Sequence, residues 1–266
     1  MPTTLNEAEH AQWGETLYKA LRARSAIPPI INSRSDLTVD DAYAISLDFL
    51  KRREKDGERV IGKKIGVTSK AVQDMLGVRQ PDFGFLTDRM YVKNGATVNI
   101  VEAGLIQPRA EAEIGFVLKK DLRGPGITDQ DVLDATDYIA PCFEIVDSRI
   151  QNWKISIIDT VADNASCGVF VLGEAKADPR AHDLPNLKVR VTKNGKPLSE
   201  GLGSAVQGSP LTAVAWLANT LGEKGVPLLA GDFILSGSLV PLENAVPGDR
   251  FDMVLEGIGE CSISFS

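Results

Sequence analysis

Two glutamates are spaced so that they can share one hard cation, and a third is a candidate to join them. In QPRAEAEIGFVLKK, the residues Ile114, Phe116 and Leu118 alternate at strand spacing, which puts Glu111 and Glu113 together on the opposite face. Two strand steps of roughly 3.3 Å set their attachment points about 7 Å apart, a gap that side chains can close around an ion. Glu144, in APCFEIVDSR, lies inside an apolar run where an unpaired charge is expensive to bury, and a metal would resolve that expense. Blander readings stand beside this one: Glu111 and Glu113 on a solvated strand face, and Glu144 as a buried carboxylate paired with Arg149 or Arg109.

Other residues offer proton chemistry. Lys63 and Lys64 adjoin in GKKIGVT, between Gly62 and Gly66, where neighbouring backbone can come close. In a strand the two lysines point to opposite faces, so at most one reaches a given pocket. Asp82 in RQPDFGFL stands beside Pro81 and Gly84, which is good turn chemistry in its own right. Ser166 in VADNASCG is either a satisfied core hydroxyl or a pocket donor, while Asp163 and Asn164 are expected to shape the loop by side-chain to backbone hydrogen bonds. Ser236, Gly237 and Ser238 read equally as backbone donors or as a strand-end turn. Cys142, Cys167 and Cys261 lack paired spacings and read as reduced, buried thiols. With only His10 and His182 in the chain, histidine triads and histidine-metal sites lack their usual residues, so a metal must be held by oxygen.

The elements that must position these groups fall into two textures. From Asn6 to about Gly57 the pattern is helical, broken by Pro28 and Pro29 into one helix around Glu7 to Arg24 and another around Val39 to Glu54. Thr38 caps the second, with Asp41 three residues on, and Ala42, Ile45 and Phe49 share its inner face. Beyond Val60 come short strand-like runs: Thr97 to Val101, Ile114 to Leu118, Val189 to Thr192, Phe233 to Leu235 and Phe251 to Leu255. Asn194 and Gly195 predict a tight hairpin. Two helices interrupt, one opening at Thr128 with Asp131 three on, the other capped by Ser209 with Pro210 in its first turn and Val214, Leu217, Ala218 and Leu221 inward. The whole is α+β and rich in strands.

Composition narrows the function. Across 266 residues, 43% are hydrophobic and 24% charged, which is ordinary for a globular enzyme. The net charge of −7 repels a polyanion, and no Lys/Arg stripe is interleaved with aromatics, so nucleic acid is not an expected partner. No apolar stretch nears the roughly 20 residues that span a bilayer. The segment from Met1 to Trp13 has no apolar run behind a basic patch, so a cytoplasmic location is expected.

Four segments, GKKIGVTSKAVQDMLGVRQPDFGFLTD, LIQPRAEAEIGFVLKKDLRGPG, CFEIVDSRIQNWKISIIDTVADNASCGVFVLG and AGDFILSGSLVPL, resemble the 2-hydroxypenta-2,4-dienoate hydratases, also called 2-oxopent-4-enoate or vinylpyruvate hydratases. The resemblance covers nearly the whole chain. It implies a fumarylacetoacetase-type catalytic domain over residues 61–266, a strand-rich mixed sheet or roll, behind a small helical region over residues 1–60. It also implies that Glu111, Glu113 and Glu144 bind Mg²⁺ or Mn²⁺ and that Lys64, Asp82 and Ser166 are catalytic. The reaction implied is hydration of 2-hydroxypenta-2,4-dienoate to 4-hydroxy-2-oxopentanoate in the meta-cleavage route of aromatic degradation. A homo-oligomer is expected, as is an association with 4-oxalocrotonate decarboxylase. That decarboxylase group shares the fold and is the rival activity; its pattern carries an apolar residue where this chain has Asp82, whose carboxylate suits the proton transfers of hydration. A non-catalytic scaffold for the decarboxylase is the rival from outside enzymes, and the complete glutamate set argues against it.

Overall fold

Two capped helices open the chain: α1 (Glu7–Ala23) and α2 (Val39–Lys55). Asn6 caps the first and Thr38 the second, each in a capping box closed by an acid three residues on, Glu9 and Asp41. Ala42, Ile45 and Phe49 are buried as expected, in an apolar cluster with Leu17, Ile150 and Ile158. The computed structural model describes residues 3–266, so Met1 and Pro2 of the amino-terminal segment read above lie outside the described residues.

Next come β1 (Val60–Gly66), α3 (Lys70–Leu76), β2 (Asp82–Thr87), β3 (Tyr91–Val92), β4 (Thr97–Val98), β5 (Arg109–Leu118), α4 (Asp129–Ala135) and β6 (Thr136–Val146). They are followed by α5 (Ile157–Ala162), β7 (Cys167–Leu172), β8 (Lys188–Lys193), β9 (Lys196–Leu202) and α6 (Pro210–Gly222). The last strands are β10 (Phe233–Ser238), β11 (Glu243–Asn244), β12 (Arg250–Leu255) and β13 (Gly259–Phe265). One mixed sheet of eight strands runs β2-β1-β10-β5-β6-β7-β3, with β11 added on β5; a second runs β4-β13-β12-β8-β9. Ile114, Phe116 and Leu118 turn to the main core, where they meet α6 (Val214, Leu217) and the second sheet (Phe251, Ile263). The opposite face of β5 is left for Glu111 and Glu113.

The β8–β9 hairpin forms at Asn194 and Gly195, both with positive φ. The helices capped by Thr128 and Ser209 form too. Two expectations need correction. The run Thr97 to Val101 pairs only over Thr97–Val98, and Val101 is 61% exposed in the turn that follows. Four helices rather than two interrupt the strands, because α3 and α5 span only seven and six residues and escape a periodicity that needs several turns. Among the described residues no helix is long and apolar enough to cross a membrane.

Candidate functional site

Register alone brings the three glutamates together. Glu111 and Glu144 are directly opposite one another in the antiparallel β5–β6 ladder, and Glu113 lies two residues further along the same face, opposite Cys142. One carboxylate oxygen from each falls within 4.8 Å of the others. Glu113 and Glu144 are fully buried, while Glu111 keeps an edge open to a cavity of about 340 Å³. The Gly237 N–H donates to Glu113 Oε2 at 2.8 Å, from a backbone with φ of 113° that glycine alone holds without strain. Glu113 Oε1 and Glu144 Oε1 are buried with no donor. Glu144 does not pair with Arg149 or Arg109: its ion-pair contact is Lys64 Nζ at 3.3 Å, Arg149 is taken by Asp163, and Arg109 stacks on Trp153.

Three carboxylates this close cannot all stay ionised cheaply. Burial, then Glu144, push Glu111 up to about 8. Burial and its two neighbours drive Glu113 well above the carboxylate range. Burial also raises Glu144, against the opposing pull of Lys64. A divalent ion removes that repulsion, and oxygen donors within 4.8 Å of one another fit around a hard cation with bonds of roughly 2.0–2.6 Å. Protons and a divalent ion held there would therefore compete for the cluster. In the metal-free protein the raised carboxyls favour the folded state at low pH, and that contribution is lost as pH rises through about 8. Metal affinity would run the other way: Kd for Mn²⁺ should tighten by about 50-fold from pH 6 to pH 8 if the one proton displaced is that of Glu111, whose pKa is about 8. Calorimetric titration in buffers of different ionisation enthalpy checks this, and a pH-independent Kd without proton release would contradict it.

Lys64 and Asp82 face the same space. In β1, Lys63 and Lys64 do point apart: Lys63 Nζ meets Asp232 at 2.5 Å behind the sheet, and Lys64 reaches Glu144. Burial alone would lower the Lys64 pKa, but Glu144, Asp82 and Glu111 outweigh it and hold the ammonium charged. Asp82 is not in a turn. It opens β2 and pairs with Gly66, as Gly84 pairs with Lys64. A Cβ on Gly66 would collide with the Asp82 carboxylate and crowd Lys64 Nζ, so this glycine is what lets both groups converge. Both Asp82 oxygens are buried without a hydrogen bond of good geometry; burial raises the carboxyl pKa against the pull of Lys64 and of the nearby Thr160 hydroxyl and backbone N–H groups.

Ser166 belongs to a strained turn. Asn164, Ala165 and Ser166 carry φ values of 55°, 51° and 52° in succession, a left-handed run that residues other than glycine adopt at a cost of about 1–3 kcal/mol each. Two clamps hold it. The Asn164 side chain accepts from Phe85 N and donates to Phe85 O of β2. Buried Arg149 donates to Asp163 Oδ1, Asp163 O and Cys167 O, bracketing the turn. The result presents Ala165 O to Lys64 Nζ at 3.1 Å and buries the Ser166 hydroxyl 3.3 Å from Thr160 Oγ1.

Residues 61–265 match the fumarylacetoacetate hydrolase C-terminal family. The chain is 63% identical over 253 residues to the 2-hydroxyhexa-2,4-dienoate hydratase of Comamonas testosteroni, covering 95% of this chain and 96% of that one. The chain belongs to the hydratase branch of this family. A 2-hydroxypent-2,4-dienoate hydratase of Pseudomonas putida is 60% identical over 213 residues, covering 80% of this chain and 96% of the other. The solved 4-oxalocrotonate decarboxylase of Pseudomonas putida G7, complexed with magnesium and adipate, is 37% identical over all of both chains, with a TM-score of 0.96. For a member of the fumarylacetoacetate hydrolase family, then, sequence reasoning singled out the three glutamates that converge, weighed Gly237 as a backbone donor and Asn164 as a loop-shaping side chain, and did not name the Ala165 carbonyl or the bracketing role of Arg149. Gly237 N–H, the Ala165 carbonyl, Asn164 as a clamp onto β2 and Arg149 as a bracket all act through contacts distant in sequence. A local signal overlooked beside the site is Ser156 with Asp159, a capping box that announces α5 just before the turn.

Proposed function

We propose that this chain is a divalent-metal-dependent hydratase that adds water to 2-hydroxypenta-2,4-dienoate, giving 4-hydroxy-2-oxopentanoate in meta-cleavage breakdown of aromatic compounds. The observation that carries the reading is the buried three-glutamate cluster, open on one side to a cavity and flanked by Lys64 and Asp82. Identities of 63% and 60% to named dienoate hydratases, against 37% to the decarboxylase structure, support hydration over decarboxylation.

Glu111, Glu113 and Glu144 would hold the ion, and their oxygen-only set suits Mg²⁺ or Mn²⁺. Bound there, the cation supplies electrophilic polarisation of the 2-oxo acid end of the substrate. The proton work falls to the chain. Lys64, fixed between Glu144 and the Ala165 carbonyl, stays cationic and donates toward the 2-oxygen. Asp82, a buried carboxylate whose oxygens make no hydrogen bond of good geometry, is the group suited to move protons. The 2-hydroxyl loses its proton as C5 gains one, which leaves an enone across C2 to C4. Water then bonds to C4 and a proton enters at C3, so no atom is left over. The Ser166 hydroxyl orients the substrate carboxylate or the incoming water.

On the same reading, residues 1–60 form a helical arm and residues 61–266 the catalytic domain. The chain works in the cytoplasm as a homo-oligomer, and 4-oxalocrotonate decarboxylase is the partner to seek. Following the loss of dienol absorbance with and without a chelator tests substrate class and metal dependence together. Consumption is expected only with Mg²⁺ or Mn²⁺ present. Carbon dioxide release from 2-oxohex-3-enedioate as the dominant activity would replace this reading with the decarboxylase.

A further inference from the structure

Thr160 directs its hydroxyl away from its own helix. Thr16 and Thr136 donate back to the carbonyl four residues earlier, Gln12 at 2.9 Å and Val132 at 2.7 Å, a common outlet for a threonine in or just after a helix. Thr160 Oγ1 instead lies 3.3 Å from Ser166 Oγ, six residues on. The sequence of α5 sets this direction. Ile158, Val161 and Ala162 turn into the apolar cluster of the helical arm, and Asp159 fixes the helix by accepting from Ile30 N at 2.6 Å and from the Ser156 hydroxyl at 2.7 Å. Thr160 is left buried against the strained turn and the start of β2, with its hydroxyl beside the Asp82 carboxylate. Resting on the hydratase reading above, we propose that Thr160 is a positioning residue. It joins the Ser166 hydroxyl to the Asp82 carboxylate, so that Ser166 accepts from the water that adds at C4 and does not donate to the substrate carboxylate.

Counting donors gives the direction. Each hydroxyl carries one proton, and an ionised carboxylate only accepts. With Asp82 ionised, the Thr160 proton turns toward it and the Thr160 lone pairs take the Ser166 proton. The lone pairs of Ser166 are then what a water meets. In the substrate-free protein the Asp82 oxygens make no hydrogen bond of good geometry, and contacts of this kind commonly tighten once substrate binds. Lys64, held as an ammonium, has no lone pair with which to take a proton from Ser166, and the Asn164 amide is occupied at both ends by Phe85. The step balances. As water bonds to C4, its proton passes to Ser166, the Ser166 proton to Thr160 and the Thr160 proton to Asp82, while the C3–C4 π pair moves toward C3 and the 2-oxygen. C3 then takes the proton that Asp82 gained, and the carboxylate and both hydroxyls end as they began.

The test mixes 2-hydroxypenta-2,4-dienoate rapidly with the metal-loaded protein and reads decay of the dienol and decay of the enone as separate phases. Thr160→Val removes the hydroxyl and keeps the branched shape. It should slow the enone phase by at least about tenfold, toward the ~10²-fold effect of a positioned acid or base, and leave the dienol phase within about threefold of wild type. Thr160→Ser, which restores the hydroxyl, should bring the enone phase back to within about threefold of wild type. An enone phase slowed less than this in Thr160→Val, equal slowing of both phases, or no recovery in Thr160→Ser would each overturn the inference and leave Thr160 as a support of the turn. Ser166→Ala probes the other end of the row without touching α5. Slowing confined to the enone phase is expected there, whereas a raised KM for the dienol would show that the hydroxyl holds the substrate carboxylate and would overturn the inference. A wild-type protein that leaves the dienol unconsumed would instead bring down the hydratase reading, and this inference with it.

Discussion

Glu113→Gln is expected to lower metal-dependent turnover by at least ~10³-fold while leaving the fold intact. The size follows from what is removed. Electrophilic polarisation by a bound ion is worth several kcal/mol in the transition state, and about 4 kcal/mol corresponds to a thousandfold in rate. The fold survives for a separate reason. Glutamine keeps the shape of the side chain and an oxygen able to accept from Gly237 N, which donates to Glu113 at 2.8 Å. It also deletes one of three mutually repelling acids, so the metal-free variant should melt at or above the wild-type temperature. What it should lose is the increase in Tm on adding Mg²⁺ or Mn²⁺, a linkage effect of about 2.7 kcal/mol when the ion is at 100 times its Kd. Melting curves with and without EDTA, alongside the dienol assay, separate the two effects. Wild-type turnover by this variant in EDTA would remove the metal from the mechanism.

How much of this was legible in the sequence depends on how local each determinant is. Capping boxes at Thr38 and Thr128, the Asn194-Gly195 hairpin and the inward face of α6 are set by residues within one or two turns of each other, and all form as read. The alternation that aims Glu111 and Glu113 to one side is equally local. Convergence is not. Glu144 meets Glu111 because β5 pairs with β6 in one register, and a slip by one residue would turn it to the other face. Lys64 meets Glu144 across strands far apart in sequence, and the Asn164 clamp on Phe85 spans 79 residues. The left-handed turn at Asn164 to Ser166 has no glycine to betray it. Its geometry is imposed by Arg149 and Asn164, and such tertiary overrides leave no periodic trace. Around α5, the run Ile157, Ile158 and Val161 has the β-branched character of a strand, so composition pointed away from the helix that Ser156 and Asp159 begin.

Asp82→Asn carries the second large effect and divides the chemistry from the metal. Asparagine fits the site beside Gly66, where the absent Cβ leaves space, and replaces a buried carboxylate that makes no hydrogen bond of good geometry. Stability should therefore hold or rise, and the gain in Tm with Mg²⁺ or Mn²⁺ should persist, because Glu111, Glu113 and Glu144 are untouched. The amide cannot accept and return a proton near neutral pH, so kcat should fall by about 10²–10⁴-fold, the usual worth of a positioned acid or base. Burial raises the Asp82 pKa from its ordinary value, the direction that brings a carboxyl nearer to the pH at which a proton can be both taken and given. The wild-type rate profile should accordingly show an acidic limb that the variant lacks. Which step fails is visible in the spectrum. Slow decay of the dienol means that proton transfer between the 2-hydroxyl and C5 needs this carboxylate, while rapid decay with a persistent enone means that water addition needs it. A variant that keeps wild-type kcat through both phases would take Asp82 out of the reaction and turn attention to Lys64.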